Sequence, residues 1–391
     1  MKTALAAALL VALGVGGWWL LRAGVAQPAP TPAGPDDDPE VLRPDPIANA
    51  ERKRIEAEVL ETLAAQAGTS VAEAAVDYLE DPNPWVVCGA IEVLVKTGGQ
   101  AHARRIAPLL EDADPMVREQ AASALARLGM IGYAGAIAAL IEDESAVVRE
   151  RALRSLARLD AKDQAPRVAK ALADTDGGVR ATALEALAQL GPAPYADAIA
   201  RRLDDSGADV RQQALGALAK SGAKDHAAAA VRCLDDSDEE VRAAAVGAVW
   251  RLGGHAQVSA LTARLGDPSA RVRGATCATL GRAKIAEAEP GIALLLEDRD
   301  PEVRARAVQG LYWMDAKARA GEIARRLTDT NARVRGNAIQ ALTRFGAREF
   351  AGQIAALRED GGECVQLDPP KGTRPRTTVG ELARSAEVGW R

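Results

Sequence analysis

Hydrophobic and polar positions recur with a fixed period of 31 residues along most of the chain. The recurring mark is a Val-Arg pair, whose arginine falls at Arg118, Arg149, Arg180, Arg211, Arg242, Arg273, Arg304 and Arg335. One period upstream the pair is Val86-Val87. From this reference position, apolar residues stand at offsets +3, +4, +7 and usually +10, the spacing of a buried helix face. Nine such units cover residues 81–359 and predict a stack of helical repeats.

Each unit also carries a signal for the start of a helix. An aspartate lies six residues before the reference position in all nine units, at Asp81, Asp112, Asp143, Asp174, Asp205, Asp236, Asp267, Asp298 and Asp329. Two residues later comes Asn, Asp, Ser or Gly, all of them preferred N-cap residues. In three units a proline follows, which suits the first helical position: Pro84, Pro115 and Pro301. A helix is therefore predicted to begin at the same point nine times, and a second helix with its own apolar stripe follows in each unit.

The pattern L-x-D-x-[DNS]-x-x-V-R-x-x-A-x-x-A-L-x-x-L-G resembles HEAT repeats, in the short type shared with phycobilisome lyases. The resemblance covers about four-fifths of the chain. It implies an all-α fold, a right-handed α-solenoid (superhelix) of stacked antiparallel helix pairs with a 31-residue repeat. It further implies that the Val-Arg helix lines the concave face, and that the recurrent Asp and Arg form a hydrogen-bonded ladder between units. An enzyme needs a catalytic pair only once, whereas this Asp and Arg recur with the same spacing in eight units. We therefore interpret them as packing residues.

The N-terminus has a different composition. An uncharged run over residues 3–21 lies between basic residues and is long enough to cross a bilayer. Trp18 and Trp19 stand at one end of it, where interfacial aromatic residues belong. Residues 24–26 also suit a cleavage site. Residues 1–26 are therefore predicted to be a signal anchor or a cleaved signal peptide.

The remaining segments complete the predicted organisation. Residues 27–50 form a Pro-rich acidic linker, and residues 51–80 fit the repeat register loosely as a degenerate N-terminal capping repeat. The tail over residues 360–391 is predicted either to cap the last repeat or to be disordered. The expected location is the cell envelope. There the protein is either a single-pass, membrane-anchored extracytoplasmic protein with its N-terminus inside, or secreted after cleavage.

Composition agrees with a helical fold and excludes several kinds of site. Hydrophobic residues make up 48% of the chain but aromatics only 3%, so the apolar content is mostly Ala, Leu and Val. The net charge of −5 indicates no general nucleic-acid footprint. The four cysteines and three histidines have no metal-ligand spacing, and no nucleophile or acid–base motif occurs. We expect no catalytic residue, no cofactor, no metal and no small-molecule substrate.

The exposed side of the Val-Arg helix suggests where a partner could bind. Nine residues after the reference position (offset +9), the nine units carry in order Lys96, Arg127, Arg158, Gln189, Lys220, Arg251, Arg282, Trp313 and Arg344. Stacked repeats would align these cations as a stripe on the concave surface. The alternative is that each cation only favours the helix macrodipole and solubility at the last turn.

Aromatic residues interrupt this pattern in two units. Offset +8 holds Trp250 in the sixth and Tyr312 in the eighth, beside Trp313 at offset +9. Together with Arg251, Arg282 and Arg344 they are the residue types of binding hot spots. Packing of Trp250 and Tyr312 against neighbouring helix ends is the alternative. The predicted partner-binding residues are Trp250, Tyr312, Trp313, Arg251, Arg282, Arg344, Arg127, Arg158 and Lys220.

The favoured function is a non-catalytic scaffold that binds a protein or extended polymer through its concave face, and an acidic partner would suit the stripe. One alternative is a phycobilin-lyase-like or chaperone-like activity, which rests on the repeat resemblance alone. Another is binding of nucleic acid or another polyanion, although nucleic acid is not the expected partner.

Overall fold

The structure is a computed structural model that describes residues 71–367 and 376–390. It is an all-α repeat solenoid. Its α-helices are, in chain order, α1 (Val71–Val76), α2 (Pro84–Lys96), α3 (Ala103–Ile106), α4 (Pro115–Arg127), α5 (Ala134–Ala139), α6 (Ala146–Arg158), α7 (Ala165–Lys170), α8 (Gly177–Leu190), α9 (Ala196–Ala200), α10 (Ala208–Ser221), α11 (Ala227–Arg232), α12 (Glu239–Gly253), α13 (Val258–Ala263), α14 (Ala270–Arg282), α15 (Glu289–Leu294), α16 (Pro301–Met314), α17 (Ala320–Ala324), α18 (Ala332–Phe345), α19 (Ala351–Ala355) and α20 (Val379–Trp390). Even-numbered helices from α2 to α18 are the Val-Arg helices, here termed the long helices. Odd-numbered helices are the short helices.

The long helices begin where the sequence predicts them. At six of the nine starts the N-cap side chain accepts a hydrogen bond from a backbone N–H in the first turn. Asp238, for example, accepts from the N–H groups of Glu240 and Val241. Ser145, Gly207 and Ser269 occupy the same place without such a bond. At these three starts the cap supplies no side-chain acceptor for the free N–H groups of the first turn.

The core lies on the predicted face of the long helices. Ala121, Ala122 and Leu125, at offsets +3, +4 and +7 of the second unit, are fully buried. The small alanines allow neighbouring helices to approach closely, and the contact is tightest between α14 and α16. A Cβ atom placed on Gly281 would lie 2.4 Å from the Cα of Gly310. Glycine is therefore required there by packing rather than by backbone conformation.

The second helix of each unit is shorter than its apolar stripe suggested. In the second unit α5 covers only Ala134–Ala139, with 3-10 turns at Ile131–Tyr133 and Leu140–Glu142 on either side. The tighter 3-10 turns fit a segment that must reverse direction twice within a few residues. The stripe itself is buried, since Ile137, Leu140 and Ile141 all belong to the core.

Two compact units make up the chain, divided after Val168. In unit 1, residues 71–168 are described and carry the first three long helices. Unit 2 begins at Ala169 and carries the other six. After the last short helix, unit 2 has two short strands, β1 (Glu363–Val365) and β2 (Arg376–Thr378), which pair antiparallel with Cys364 opposite Thr377. Helix α20 follows them.

The tail of unit 2 packs on the last long helix. Both β1 and α20 contact α18, and a Cβ on Gly336 would meet the Sγ of Cys364 at 2.7 Å. Arg358 forms an ion pair with Glu387, which ties α20 to the chain that follows α19. These segments therefore cover the end of the stack, where a tenth unit would otherwise continue.

The predicted location in the cell envelope is wrong. None of the helices within residues 71–367 and 376–390 has the length and apolar character needed to cross a membrane. The longest of them, α12, has 15 residues and carries charged side chains at both ends, whereas a transmembrane helix needs about 20 predominantly apolar residues. Segments 1–26 and 27–50, to which the anchor and the linker were assigned, lie outside the described residues, as does most of the predicted capping repeat.

Candidate partner-binding surface

The recurrent arginine and aspartate form the ladder that the resemblance implied. Arg211 donates from Nε and Nη2 to the two carboxylate oxygens of Asp236 in the following repeat, at 2.8 and 2.7 Å. Its Nη1 donates to the carbonyl oxygens of Asp205 and Ser206, at 2.8 and 3.1 Å. The same two-bond contact with the next aspartate occurs at Arg118–Asp143, Arg180–Asp205, Arg242–Asp267, Arg273–Asp298, Arg304–Asp329 and Arg335–Asp360.

Both members of a ladder pair are held in their charged forms. The hydrogen bonds from Arg211 lower the pKa of the Asp236 carboxyl below its ordinary value of 3.8, although burial acts in the opposite direction. The same bonds raise the pKa of Arg211. Because the guanidinium faces two carbonyls and a carboxylate, few of its donors are left for a ligand. These arginines therefore join neighbouring repeats through most of their donors.

The cations at offset +9 of unit 2 differ from the ladder arginines. Lys220 and Arg251 are exposed, and neither forms an ion pair with a carboxylate in the part of the chain that the structure describes. Arg282 lies over the ring of Trp313, with 4.6 Å between its Cζ and the ring centroid. Arg282 is nevertheless exposed, and the attraction between the cation and the ring face helps to hold it there.

The three aromatic residues do not form one exposed patch. Tyr312 is only 7% exposed and lies under Arg344, whose Cζ is 4.6 Å from the ring centroid. Trp250 is half-buried and packs edge-to-face against His255, with 5.4 Å between the ring centroids. Trp313 is half-buried beneath Arg282. Each predicted aromatic thus has its own local partner, and Trp250 and Trp313 keep part of their surface open.

The two predicted cations of unit 1 have different surroundings. Arg127 forms an ion pair with Glu92 of the preceding repeat, at 2.5 Å from Nη1 to Oε2 and 3.1 Å from Nη2 to Oε1. Glu92 is only 8% exposed and also accepts a 3.4 Å hydrogen bond from Gln120. Arg127 therefore neutralises a buried carboxylate. Arg158 is exposed and forms no ion pair among the described residues.

A groove in unit 2 was not predicted. It has a volume of about 520 Å³, and its floor consists of small residues on α12 and α14, namely Ala243, Ala244, Gly274, Ala275 and Ala278. The charged side chains of Glu240, Arg271 and Glu302 also line it. Arg271 pairs there with Glu240 at 2.5 Å, and Glu302 pairs with Arg333 at 2.6 Å. The signal in the sequence was the run of Gly and Ala at offsets +1, +2 and +5 of the sixth and seventh units.

Within residues 71–367 and 376–390, no group of three His, Cys, Asp or Glu side chains is arranged to hold a metal ion. Burial raises the pKa of the Cys233 thiol to about 11 and that of Cys277 to about 12. Both thiols are therefore protonated and unreactive at neutral pH.

Comparison with known proteins agrees with this geometry. The family model for HEAT repeats matches six overlapping segments, residues 46–126, 73–142, 133–219, 196–281, 258–343 and 288–360, which together span well over half of the chain. The chain belongs to the HEAT-repeat family. No curated protein matches this HEAT-repeat chain.

Solved structures of similar fold include two karyopherins. Importin beta is 11% identical, with a TM-score of 0.58 over 88% of this chain and 55% of the importin chain. Kap121p bound to the extreme C-terminus of the protein phosphatase Cdc14p is 12% identical, with a TM-score of 0.54 over 89% of this chain and 44% of that chain. This HEAT-repeat chain thus spans about half the length of the karyopherin chains. At such low identity the likeness shows the fold alone.

Proposed function

We propose that this HEAT-repeat protein is a non-catalytic scaffold that binds a protein partner through the exposed side of its long helices. A stack of repeats presents a long open surface, which suits extended partners better than small substrates. The solved karyopherin bound to the C-terminus of a phosphatase supports a polypeptide as the class of partner.

The proposal rests on one observation: the long helices of unit 2 carry two classes of cation. The ladder arginines are saturated by carboxylate and carbonyl oxygens, whereas Lys220 and Arg251 are exposed without a carboxylate partner among the described residues. Arg282 adds a third exposed cation, which lies over the ring of Trp313. We term Lys220, Arg251, Arg282 and Trp313 the charged edge. Acidic side chains of a partner are the groups that complement it.

The predicted residues contribute unequally to this proposal. Trp250 lies next to the charged edge and offers part of its ring as an apolar contact. The buried ring of Tyr312 places Arg344 at the surface instead of contacting a partner itself. In unit 1, Arg158 remains a candidate contact, whereas Arg127 is engaged by Glu92.

Crosslinking and affinity purification from the native lysate test the proposal. We expect the protein partners recovered with the wild type to be lost from a Lys220→Glu/Arg251→Glu variant, because two attractive contacts become repulsive. The matched control is Arg232→Glu, which reverses an exposed cation on the short helix α11, and it should recover the same proteins as wild type.

Two results would overturn the proposal. One is recovery of the same proteins in equal yield by the double variant and the wild type. The other is a bound fraction that consists of nucleic acid and disappears on nuclease treatment, with affinity falling steeply as salt rises.

A further inference from the structure

The first unit carries valine where the other eight units carry the ladder arginine. Val87 stands at this reference position, so Asp112 of the second unit receives no guanidinium from the preceding long helix. The Oδ1 of Asp112 accepts a 2.8 Å hydrogen bond from the backbone N–H of Asp114. Among the described residues, its carboxylate forms no ion pair and no other hydrogen bond. One ladder carboxylate is therefore oriented by its own turn and remains open to a donor.

The turn before Val87 supplies two further acceptors. In each of the other eight units, the Nη1 of the arginine donates to the carbonyl oxygens six and five residues before it. In the first unit these oxygens belong to Asp81 and Pro82. Neither accepts a hydrogen bond within the part of the chain that the structure describes.

The backbone of this turn matches that of a unit that holds an arginine. Asp81 has φ −70° and ψ 139°, and Asp267 of the seventh unit has φ −59° and ψ 142°. A proline follows the aspartate in both units, and the carbonyl oxygen of Pro268 accepts a 3.0 Å hydrogen bond from Arg273. The carbonyl groups of Asp81 and Pro82 are therefore arranged like those that hold a guanidinium in the seventh unit.

The carboxylate of Asp112 is also oriented like those that accept a guanidinium. The Oδ1 of Asp143 accepts a 2.9 Å hydrogen bond from the N–H of Ser145, as that of Asp112 does from Asp114. Asp143 still accepts two hydrogen bonds from Arg118, at 2.8 and 2.9 Å. Contact with its own turn thus leaves such a carboxylate the capacity for a two-bond contact with a guanidinium.

The residues that bear these acceptors lie at the surface. Pro82 is exposed, and Asp81 and Asp112 are half-buried. Val87 is only 3% exposed, and a valine side chain ends at Cγ, far short of the position that Cζ takes in an arginine. A guanidinium that approaches from solvent can therefore meet the groups that ladder arginines reach from their own helix.

We propose that Asp81, Pro82 and Asp112 form a binding site for a guanidinium group, supplied by an arginine side chain of another polypeptide or by a free guanidino compound. The planar fork of a guanidinium fits a carboxylate and two carbonyls at once, whereas an ammonium is a compact point charge without that fork. The site belongs to unit 1 and shares no residue with the charged edge. The inference therefore goes beyond the proposed function and does not rest on it.

Saturation-transfer NMR titrations of the full-length protein test the site. The probe is N-acetyl-arginine methylamide, and N-acetyl-lysine methylamide is the matched compound of equal charge. We expect saturable binding of the arginine probe, and binding of the lysine compound that is at least roughly tenfold weaker.

Two variants change the site in opposite ways. Asp112→Asn removes the negative charge but keeps an oxygen for the N–H of Asp114, and it should weaken binding of the arginine probe at least roughly tenfold. Val87→Arg supplies a guanidinium from the chain itself and should abolish binding of the probe. Circular dichroism checks that each variant keeps its helices.

Two further variants control for general effects of charge. Asp209→Asn makes the same change at an exposed carboxylate in the first turn of α10 and should bind the probe as wild type does. Arg118→Val repeats the arrangement of the first unit in the second, because it leaves Asp143 without its two-bond donor. The probe should therefore stabilise Arg118→Val against urea more than it stabilises wild type, since binding to the folded state adds to stability.

Two more ligands distinguish the sources of the guanidinium. Tighter binding of the peptide Ala-Ala-Arg-Ala-Ala than of ethylguanidinium assigns the site to an arginine of a polypeptide. Equal or weaker binding of the peptide assigns it to free guanidino compounds. Absence of saturable binding to wild type, equal binding by wild type and Asp112→Asn, or equal binding of the arginine and lysine compounds would overturn the inference.

Discussion

The carboxylate of Asp236 accepts two hydrogen bonds from Arg211 of the preceding repeat and a third from the backbone N–H of Asp238. One side chain thereby joins two repeats and also shapes the turn that starts its own long helix. This double use explains why aspartate occurs at all nine equivalent positions. A glutamate could reach the arginine, but the contact to the N–H two residues ahead is typical of the shorter Asp side chain.

Removal of a ladder arginine should destabilise unit 2 substantially. Arg211→Met keeps the length of the side chain but leaves the Asp236 carboxylate, mostly buried, without its two charged donors. We expect the free energy of unfolding to fall by roughly 3 kcal/mol, as for other buried ion pairs that lose one partner. Urea denaturation followed by circular dichroism measures the change.

The control for that prediction is Arg232→Met. This arginine contacts Asp204 at 3.8 Å, with both side chains more than half exposed, and such pairs contribute about 0–1 kcal/mol. Similar denaturation midpoints for Arg211→Met and Arg232→Met would show that the ladder contributes little to stability.

Acid should destabilise the protein through the same aspartates. Hydrogen bonds from Arg211 and Arg335 lower the pKa of Asp236 and Asp360 in the folded protein. The stabilisation is therefore fully present above the ordinary pKa of 3.8, and it is lost as the pH falls from there through the folded-state pKa. We expect the free energy of unfolding to decline below about pH 4, and to decline less steeply in Asp236→Asn. Parallel slopes for the two proteins would contradict this assignment.

The ladder could be predicted from the sequence because it depends on positions that recur. The contact between Arg211 and Asp236 recurs along the stack, so every unit of the sequence that repeats this Arg and Asp adds evidence for the contact. The surroundings of the offset +9 cations could not be predicted in this way. The contact that such a cation makes depends on residues that vary in the neighbouring repeats: Arg127 meets Glu92 of the preceding repeat, whereas Arg282 lies over Trp313 of the following one.

The end of the stack shows a second limit. Asp360 continues the 31-residue register, but strand β1 begins three residues later in place of a long helix. This strand pairs with β2 more than ten residues further along the chain. Such pairing is non-local, and nothing in the short segment 363–365 indicates it. Gln340 on α18 holds this segment, since its Nε2 donates to the carbonyl oxygen of Val365 and its Oε1 accepts from the N–H of Leu367. These contacts could not be predicted from the sequence.

Arg127 should behave as a structural residue. Arg127→Ala leaves the buried Glu92 carboxylate without its bidentate partner, and we expect a loss of about 1–2 kcal/mol in the free energy of unfolding. Lys220→Ala, at the same offset in unit 2 but without an ion pair among the described residues, should change stability by less than about 0.5 kcal/mol. Thermal or urea denaturation of both variants measures the difference. If both variants lose the same small amount of stability, Arg127 is again a candidate contact for a partner.

A methyl group at Gly336 should displace the tail from the last long helix. The added Cβ of Gly336→Ala would lie 2.7 Å from the Sγ and 2.8 Å from the Cβ of Cys364, so β1 must move away. In the wild type Cys364 is buried, and burial raises the pKa of its thiol to about 11. We therefore expect Gly336→Ala to alkylate with iodoacetamide at Cys364 severalfold faster than wild type, measured by mass spectrometry of the tryptic peptides.

Gly216→Ala is the matched control, because the same change within a long helix meets no atom within 4 Å. Replacing glycine inside a helix removes an entropic cost of roughly 0.5–1 kcal/mol, so this variant should be slightly more stable than wild type, with Cys364 as unreactive as before. Faster alkylation of Cys364 in Gly336→Ala but not in Gly216→Ala therefore separates displacement of the tail from the general stabilising effect of alanine in a helix. If Cys364 reacts at the same rate in all three proteins, β1 does not depend on the close approach at Gly336, and the contact with Gln340 must hold the tail without it.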